Sequence, residues 1–341
     1  MSVLAGGARQ AVNNCVKVKP GETVVIITDR ESAAIGEALR SAAGKACGSQ
    51  VRYFVMEDFG ERPDHGSPAL VFPQEIAQAL KDADVSFYAA GSKKGELESF
   101  RIPMLEAVES NPNLRHAHMP NIDVEVMGMG MAVDYSLVHR LSAKVYELVK
   151  NARSIRVTTG AGTELTAHFT PKHRWVISDG HIRPGHWSNL PDGEVFTCVE
   201  SVEDGSVLVV DGVLGDYFDR KYGLLDETPL TIRLRGSRAA ELDCSNKKLL
   251  DELARYLKQD ENADRLGEFA VGTAVGLDRL IGNLLQDEKF PGVHVAFGHG
   301  YPKQTGSNLT SVAHVDCVLR SCSVVVDGKQ IMRESAFLFE Y

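Results

Sequence analysis

The feature that most constrains the fold is a strand-then-helix pattern that repeats through the first half of the chain. Residues 23–28 form a short, continuous apolar run, as expected of a strand buried on both faces. Alanine-rich residues 31–46 then predict a helix, residues 51–56 and 85–90 predict further strands, and residues 74–81 predict a short helix between them. This repetition favours a parallel sheet covered by helices, so we expect a Rossmann-like or flavodoxin-like α/β domain.

The second half has a different texture, dominated by β-hairpins. A helix expected over residues 133–151 ends the first half, and a helix at 246–257 is expected to begin behind Ser245 as its N-cap. At about 150 residues per domain, a chain of 341 residues suggests two domains. We therefore predict an α/β scaffold domain over 1–151 and an α+β domain over 152–341. The strands predicted for the second domain span residues 154–158, 164–169, 207–210, 230–235 and 323–326.

Composition and charge exclude several classes of function. The chain has 46 acidic and 37 basic residues, a formal net charge of −9 and no basic block, so a nucleic-acid partner is not expected. It has no apolar run near the ~20 residues of a membrane span, and its first residues, without a basic flank, are not expected to be a secretory signal. Its six cysteines are scattered without a CxxC pair, which favours a reducing compartment, the cytoplasm.

Nucleotide-binding signatures are missing from the first half. Residues 29–36 follow the first predicted strand without the glycine-rich fingerprint that would open a dinucleotide-binding helix. Gly128-Met-Gly130 is an isolated pair without strand–helix context. The first domain is therefore expected to be a scaffold or lid. Residues 95–132, rich in Glu, Pro, Asn and Met, predict no clear element.

His314-Val-Asp316 is the first candidate metal-binding segment. Residues i and i+2 of a strand project from the same face, so an imidazole and a carboxylate would point together. That arrangement suits two ligands of one metal ion. It equally suits a histidine that is hydrogen-bonded to an aspartate, and spacing alone leaves both readings open.

His294 and Tyr301 form a second candidate segment. His294 stands in an otherwise apolar run and could be an ordinary core histidine, but glycines 298 and 300 let the following backbone approach a ligand closely. The Tyr301 hydroxyl could stabilise a developing oxyanion, or could belong to a core aromatic ring. His299 is a less favoured ligand candidate.

Three glutamates are the remaining candidates. Glu194 follows a Pro-Asp-Gly turn, and Glu268 is embedded in an apolar segment where an unpaired charge would be costly, so a metal ion would be a suitable partner. Glu288 lies in an ordinary-looking charged turn, where Asp287 is nearly as good a candidate. Glu194 and Glu288 could instead be solvated surface residues.

Taken together, the order and spacing of these segments resemble the aminopeptidase T / aminopeptidase S family of metallopeptidases. The resemblance covers roughly residues 150–330, although this chain is shorter than typical members. The matching segments are Asn189-Leu-Pro-Asp-Gly-Glu194-Val-Phe-Thr197, Leu266-Gly-Glu268, Asp287-Glu288-Lys289 ahead of His294-Val-Ala-Phe-Gly298 and Tyr301, and His314-Val-Asp316.

The resemblance implies a cytoplasmic, homodimeric hydrolase: a metal-dependent aminopeptidase that uses a water molecule activated by two metals. It implies two divalent ions (Zn, Co or Mn), with Glu268 between them and with Tyr301 and Glu268 taking part in catalysis. The implied partners are peptides or small molecules, with neither nucleic acid nor membrane. The metal ligands it implies are Glu194, Glu268, Glu288, His294, His314 and Asp316.

A second function stays open, because relatives of this fold include a 2,5-dihydroxypyridine dioxygenase that uses one ferrous ion. His294, His314 and Asp316 alone would make the two-histidine, one-carboxylate set of non-haem iron oxygenases. The alternative function is therefore an Fe(II) ring-cleaving dioxygenase, or another small-molecule metalloenzyme. This hypothesis leaves Glu194 and Glu268 without a role.

Overall fold

A computed structural model describes residues 3–48, 51–63 and 68–341, and the predicted mixed α/β fold with an N-terminal parallel sheet is confirmed. The chain divides into two compact units. The first contains Met1–Tyr135 and Gly180–Asp192, and the second contains Ser136–Asp179 and Gly193–Tyr341. Residue 151, where the sequence predicts the domain boundary, lies within the first segment of the second unit, and that boundary stays a prediction.

The helices and strands are numbered in chain order. The α-helices are α1 (Val3–Arg9), α2 (Ala33–Cys47), α3 (Gln74–Lys81), α4 (Ile102–Glu109), α5 (Val124–Gly128), α6 (Tyr135–Val149), α7 (Asp219–Tyr222), α8 (Lys247–Tyr256), α9 (Leu284–Asp287) and α10 (Pro302–Thr305). The strands are β1 (Val24–Thr28), β2 (Val51–Val55), β3 (Val85–Ala90), β4 (Arg115–Pro120), β5 (Ser154–Thr158), β6 (Glu164–His168), β7 (Val176–Ser178), β8 (His186–Asn189), β9 (Glu194–Thr197), β10 (Ser201–Val202), β11 (Val207–Val210), β12 (Leu230–Arg235), β13 (Arg238–Asp243), β14 (Leu266–Gly272), β15 (Gly292–Gly298), β16 (His314–Leu319), β17 (Ser323–Val326), β18 (Lys329–Arg333) and β19 (Ala336–Phe337).

The first unit is built on an all-parallel sheet with strand order β2-β1-β3-β4-β8. Every residue of β1, β3 and β4 is buried, as expected for strands covered on both faces. The consecutive strands β1, β2 and β3 are joined through helices, with β1 lying between the other two. This order is typical of flavodoxin-like sheets, in which ligands bind beyond the carboxyl ends of the strands where the order reverses.

In this unit the carboxyl ends of β1 and β3 are closed by a buried polar network. Asp29, which follows β1, accepts hydrogen bonds from the backbone N–H groups of Ser32 (2.7 Å) and Gly91 (2.8 Å). The guanidinium of Arg62 lies 2.8 Å from Asp29 and donates two hydrogen bonds of 2.7 Å to Glu96. These groups therefore satisfy one another's charges and hydrogen bonds at this edge of the sheet.

The second unit contains two antiparallel sheets. One runs in the order β13-β12-β11-β6-β5-β17-β18-β19, with β10 paired to β6, and the other has the order β16-β15-β14-β9-β7. A single large apolar core lies among them and includes Val195, Phe269, Val295 and Cys317 from the five-stranded sheet. The five-stranded sheet therefore has one face packed on the core, and its other face carries the candidate site.

Among the described residues, no helix combines the length and apolar character that crossing a membrane requires. All six cysteines are buried and carry free thiols.

Candidate metal centre

The alternation of side chains along β14 and β15 separates the core from the site. In β14 and β15 the large apolar residues Phe269 and Val271, Val293 and Val295 point to the core. The intervening positions hold Glu268 and small residues in β14, and His294 and small residues in β15. Since successive residues of a strand point to opposite faces, the acids and histidines share the face away from the core.

The strand register brings the ligand candidates into neighbouring rows. Ala296 of β15 lies opposite Glu268 on one side and Asp316 on the other, so these two carboxylates flank a single small residue. His294 is two residues before Ala296, and His314 is two residues before Asp316, so both histidines belong to the same face. Glu194, at the start of β9, pairs with Gly272 at the end of β14.

Glu268, His314 and Asp316 form the first group of potential ligands, with ligand atoms that lie within 4.8 Å of one another. Nε2 of His314 lies 3.3 Å from Oε2 of Glu268 and 3.4 Å from Oδ1 of Asp316. Both carboxylates are buried, and His314 is half-buried.

A hydrogen bond of the other ring nitrogen, Nδ1, determines which nitrogen of His314 carries the proton. Nδ1 lies 3.2 Å from the main-chain carbonyl oxygen of His299, which can only accept a hydrogen bond, so Nδ1 carries a proton. In the neutral ring Nε2 then has its lone pair directed at the two carboxylates. Metal-ligating histidines are commonly oriented in this way by a backbone carbonyl.

Two further groups share His294. Glu194, Glu268 and His294 form one, and Glu288, His294 and Asp316 form the other, again with ligand atoms within 4.8 Å of one another. Nε2 of His294 lies 3.4 Å from Oε2 of Glu194 and 3.9 Å from Oε1 of Glu268. The structure thus brings together all six ligand candidates, with Glu268 facing both histidines.

Lys289 belongs to the same cluster and is absent from the ligand set suggested by the sequence. Its side chain is only 2% exposed, and its ammonium lies 2.7 Å from Oε1 of Glu194 and 2.7 Å from Oε1 of Glu288. The stretch Gln286–Phe290 reads as an ordinary charged turn, and no periodicity in it indicates that the lysine is buried.

Tyr301 lies at the edge of the cluster, with its hydroxyl 3.2 Å from Nε2 of His314. Its ring contacts Phe196 edge-to-face at 5.7 Å between centroids. The backbone of Tyr301 is left-handed, with φ +50°, which is uncommon for a residue other than glycine and often occurs at functional sites. Main-chain N–H groups of Gln304 and Thr305 donate to its carbonyl oxygen and hold this conformation.

Two weaker candidates lie outside the cluster. The Asp287 carboxylate accepts hydrogen bonds from the backbone N–H groups of Ile281 and Gly282, so it caps a loop. The imidazole of His299 accepts a long hydrogen bond from Ser311, and its contribution to the cluster is its main-chain carbonyl.

The electrostatics of the cluster call for added positive charge. Burial raises the pKa of Glu268 to about 8, with Asp316 and Glu194 acting in the same direction and His314 opposing them. Burial also raises the pKa of Glu288 well above its usual value. Burial acts to lower the pKa of His314, but the Asp316 and Glu268 carboxylates and the carbonyl oxygen of His299 together outweigh it, and the pKa is raised to about 10.

The donor set suits a divalent cation. Four buried carboxylates and two imidazoles meet on one face. When His314 is neutral, its Nε2 lone pair faces carboxylate oxygens that also carry lone pairs. Such an arrangement is repulsive without a proton or a cation between the groups. Mixed nitrogen and oxygen donors of this kind fit Zn, Co, Mn or Fe(II).

Comparison with known protein families finds a match that covers the part of the chain containing the candidate metal centre. The sequence description of the thermophilic metalloprotease (M29) family matches residues 137–340, a range that contains every ligand candidate and Tyr301.

The named proteins that the chain resembles include a dioxygenase and AmpT. The chain is 26% identical over 203 residues to 2,5-dihydroxypyridine 5,6-dioxygenase of Pseudomonas putida, and the match spans about half of that relative, 54% of its length. The solved structure of 2,5-dihydroxypyridine dioxygenase from Pseudomonas putida has a TM-score of 0.69 at 18% identity, covering 98% of this chain and 96% of that one. Wild-type AmpT from Thermus thermophilus also has a TM-score of 0.69, at 19% identity and 99% coverage of both chains. At these identities the structural likenesses show the fold.

Proposed function

This chain belongs to the thermophilic metalloprotease (M29) family, and from that premise we propose that it is a metal-dependent aminopeptidase that removes N-terminal residues from peptides. The observation that carries the proposal is the position of Glu268 between the two histidines. One of its oxygens lies 3.9 Å from His294 Nε2, and the other lies 3.3 Å from His314 Nε2. A carboxylate that faces two imidazoles in this way suits the bridge between two metal positions.

The proposed centre takes two divalent ions, Zn, Co or Mn. When bound, they would supply an activated water molecule and Lewis-acid polarisation of the scissile carbonyl group. The residues proposed to hold them are Glu194, Glu268, Glu288, His294, His314 and Asp316.

Tyr301 is proposed to act on the reacting carbonyl group. Its hydroxyl lies beside His314 and Glu268, and the pKa of that hydroxyl is raised well above its ordinary value by burial and by the neighbouring acids, so the group stays protonated. A protonated phenol can donate a hydrogen bond to the oxygen on which negative charge develops.

The proposed metal centre also provides a basis for exopeptidase specificity. With its ions bound, it would offer a coordination position to the lone pair of a free α-amine, which an N-acetylated terminus lacks. Hydrolysis adds water across the first peptide bond and releases a free amino acid and a shortened peptide. A cytoplasmic homodimer is part of the proposal and rests on the family resemblance and the scattered cysteines.

A second candidate, an Fe(II) ring-cleaving dioxygenase, is favoured by one observation. Lys289 forms ion pairs with Glu194 and Glu288, which engages two of the extra carboxylates. His294, His314 and Asp316 then remain as a two-histidine, one-carboxylate set. The curated relative named as a dioxygenase supports this candidate, while Glu268 between the histidines supports the peptidase.

The test combines a metal count with two substrates. The full chain, purified without chelator, should contain Zn, Co or Mn and should hydrolyse leucyl anilide but not its N-acetylated form. One iron per chain, together with oxygen uptake on 2,5-dihydroxypyridine and no anilide hydrolysis, would establish the dioxygenase instead. Glu194→Gln should abolish hydrolysis, whereas Glu203→Gln, the same change at an exposed acid of the same unit, should leave it unchanged.

A further inference from the structure

Lys289 is a buried cation inside a cluster that is proposed to bind cations. Its side chain is among the largest fully buried ones, and its ammonium lies at 2.7 Å from one oxygen each of Glu194 and Glu288. A buried ammonium is stable only with close anionic partners. These two carboxylates are therefore engaged by the protein's own positive charge.

The backbone holds Lys289 in this place. Its N–H donates to the carbonyl oxygen of Gln286, and its own carbonyl oxygen accepts from Ala274, both at 2.9 Å. Gly272 allows the chain to pass close by, because a Cβ atom there would lie 2.0 Å from the carbonyl oxygen of Phe290 and 3.0 Å from the carbonyl carbon of Lys289. The lysine is thus anchored on both sides of its Cα atom and packed against β14.

The ammonium divides the ligand candidates into two unequal sets. Oε1 of Glu194 contacts Lys289, and only its Oε2 atom faces His294, at 3.4 Å. Glu288 likewise directs Oε1 at the lysine. Glu268, His314 and Asp316 face one another, with Nε2 of His314 at 3.3 Å from Glu268 and 3.4 Å from Asp316.

We propose that Lys289 makes the two metal positions unequal: the position formed by Glu268, His314 and Asp316 fills first, and the position that includes Glu194 and Glu288 fills only when a metal ion displaces the ammonium from their oxygens. The inference rests on the proposed metal centre. Lys289 is a positioning residue that competes with the second ion for the same carboxylate oxygens. A neighbouring charge changes the affinity for a cation by one or more orders of magnitude, so the difference should be measurable.

The experiment is a titration of the chelator-stripped full chain with Co²⁺, followed by calorimetry and by the visible absorption of the bound ion. The unmodified protein should bind one equivalent tightly and a second at least about tenfold more weakly. Lys289→Met, which keeps much of the side-chain length without its charge, should tighten the second equivalent by at least about tenfold. Lys248→Met removes the same charge from an exposed site of the same unit and should match the unmodified protein.

Two equally tight equivalents in the unmodified protein would overturn the proposal, and so would a second-site affinity that Lys289→Met leaves unchanged. Circular dichroism shows whether Lys289→Met folds. If it does not, the Co²⁺ titration of the unmodified protein still tests the proposal, because equal affinities of the two metal positions would contradict it. Binding is measured without substrate. A protein that fills its positions in this order but hydrolyses no peptide would therefore refute the proposed function and leave the role of Lys289 intact.

Discussion

Glu268 directs one oxygen at His314, with 3.3 Å between Oε2 and Nε2, from a strand that is not adjacent to the one carrying the histidine. The intervening strand places Ala296 opposite Glu268 and Gly298 opposite His314, and these small residues leave the two groups free to meet. The contact between Glu268 and His314 depends on the charge of the Glu268 carboxylate. A substitution by glutamine removes this charge and keeps the shape of the side chain.

The first prediction concerns Glu268→Gln. The amide keeps the size of the side chain but offers one oxygen instead of two and carries no charge, so metal affinity should fall by about 100-fold or more, since even indirect partners of a ligand change it by 10–100-fold. Leucyl anilide hydrolysis should be lost with it. Co²⁺ titration and the anilide assay measure the two effects, and Glu203→Gln is the control. Unchanged metal affinity would exclude Glu268 as a ligand.

Tyr301→Phe should separate catalysis from metal binding. The variant keeps the aromatic ring against Phe196 but loses the hydroxyl beside His314. If the hydroxyl stabilises the oxyanion, kcat should fall by about 10²–10³-fold while KM and metal content change little. Steady-state kinetics and a metal count check this. A drop in metal content with a matching drop in rate would instead make Tyr301 a ligand.

Arg62→Met should unfold the first unit more readily. Arg62 is buried between Asp29 and Glu96, and its removal leaves both carboxylates without their cation. Breaking a buried pair on one side costs about 3–5 kcal/mol, which urea unfolding should reveal as a lower free energy of unfolding. Arg40→Met is the matched control, because Arg40 and Glu37 are both about half exposed and such pairs contribute at most ~1 kcal/mol.

The loss of the free energy of unfolding at acid pH should depend on Asp29. Burial acts to raise the pKa of Asp29. Arg62 and the N–H groups of Ser32 and Gly91 lower it by a larger amount, so the pKa lies below its ordinary value of 3.8. A carboxylate with a depressed folded pKa stabilises the protein above its unfolded pKa of about 3.9, and this contribution is lost as the pH falls through the folded value. Asp29→Asn should therefore be less stable at pH 7 and lose less stability on acidification. Parallel acid limbs in urea unfolding would contradict the assignment.

Most of the first-unit fold follows from the sequence because its strands are apolar runs. The predicted strand at 85–90 and helix at 74–81 match β3 and α3, whereas β4 lies in the stretch 95–132 for which no element was expected. β4 contains His116 and His118, both buried. Ser86 bonds His116 at 2.7 Å, and Tyr88 stacks on His118, and these partners on a neighbouring strand cannot be read from local pattern. The predicted N-cap of α8 at Ser245 is wrong by one residue, because Asn246 accepts the hydrogen bond from Leu249.

Part of the candidate site could be predicted from the sequence, because its residues alternate with apolar residues along strands. Glu268 and His294 alternate with large apolar residues, and this period of two identifies their common face from sequence. Lys289 carries no such signal, since it follows a short helix in a charged segment. Its burial results from the packing of this segment against Gly272, and its charge is paired with the neighbouring Glu288 and with Glu194 from β9.

The strand β8 has a consequence for the order in which the chain can mature during synthesis. β8 (His186–Asn189) completes the parallel sheet beside β4, yet more than 40 residues of the other unit, Ser136–Asp179, are translated before it. A ribosome that has released only the first 135 residues has therefore exposed a sheet whose β4 edge still lacks its neighbour. Nascent chains should hold that edge open until β8 emerges, and chaperones that recognise unpaired strands would have their opportunity in this interval.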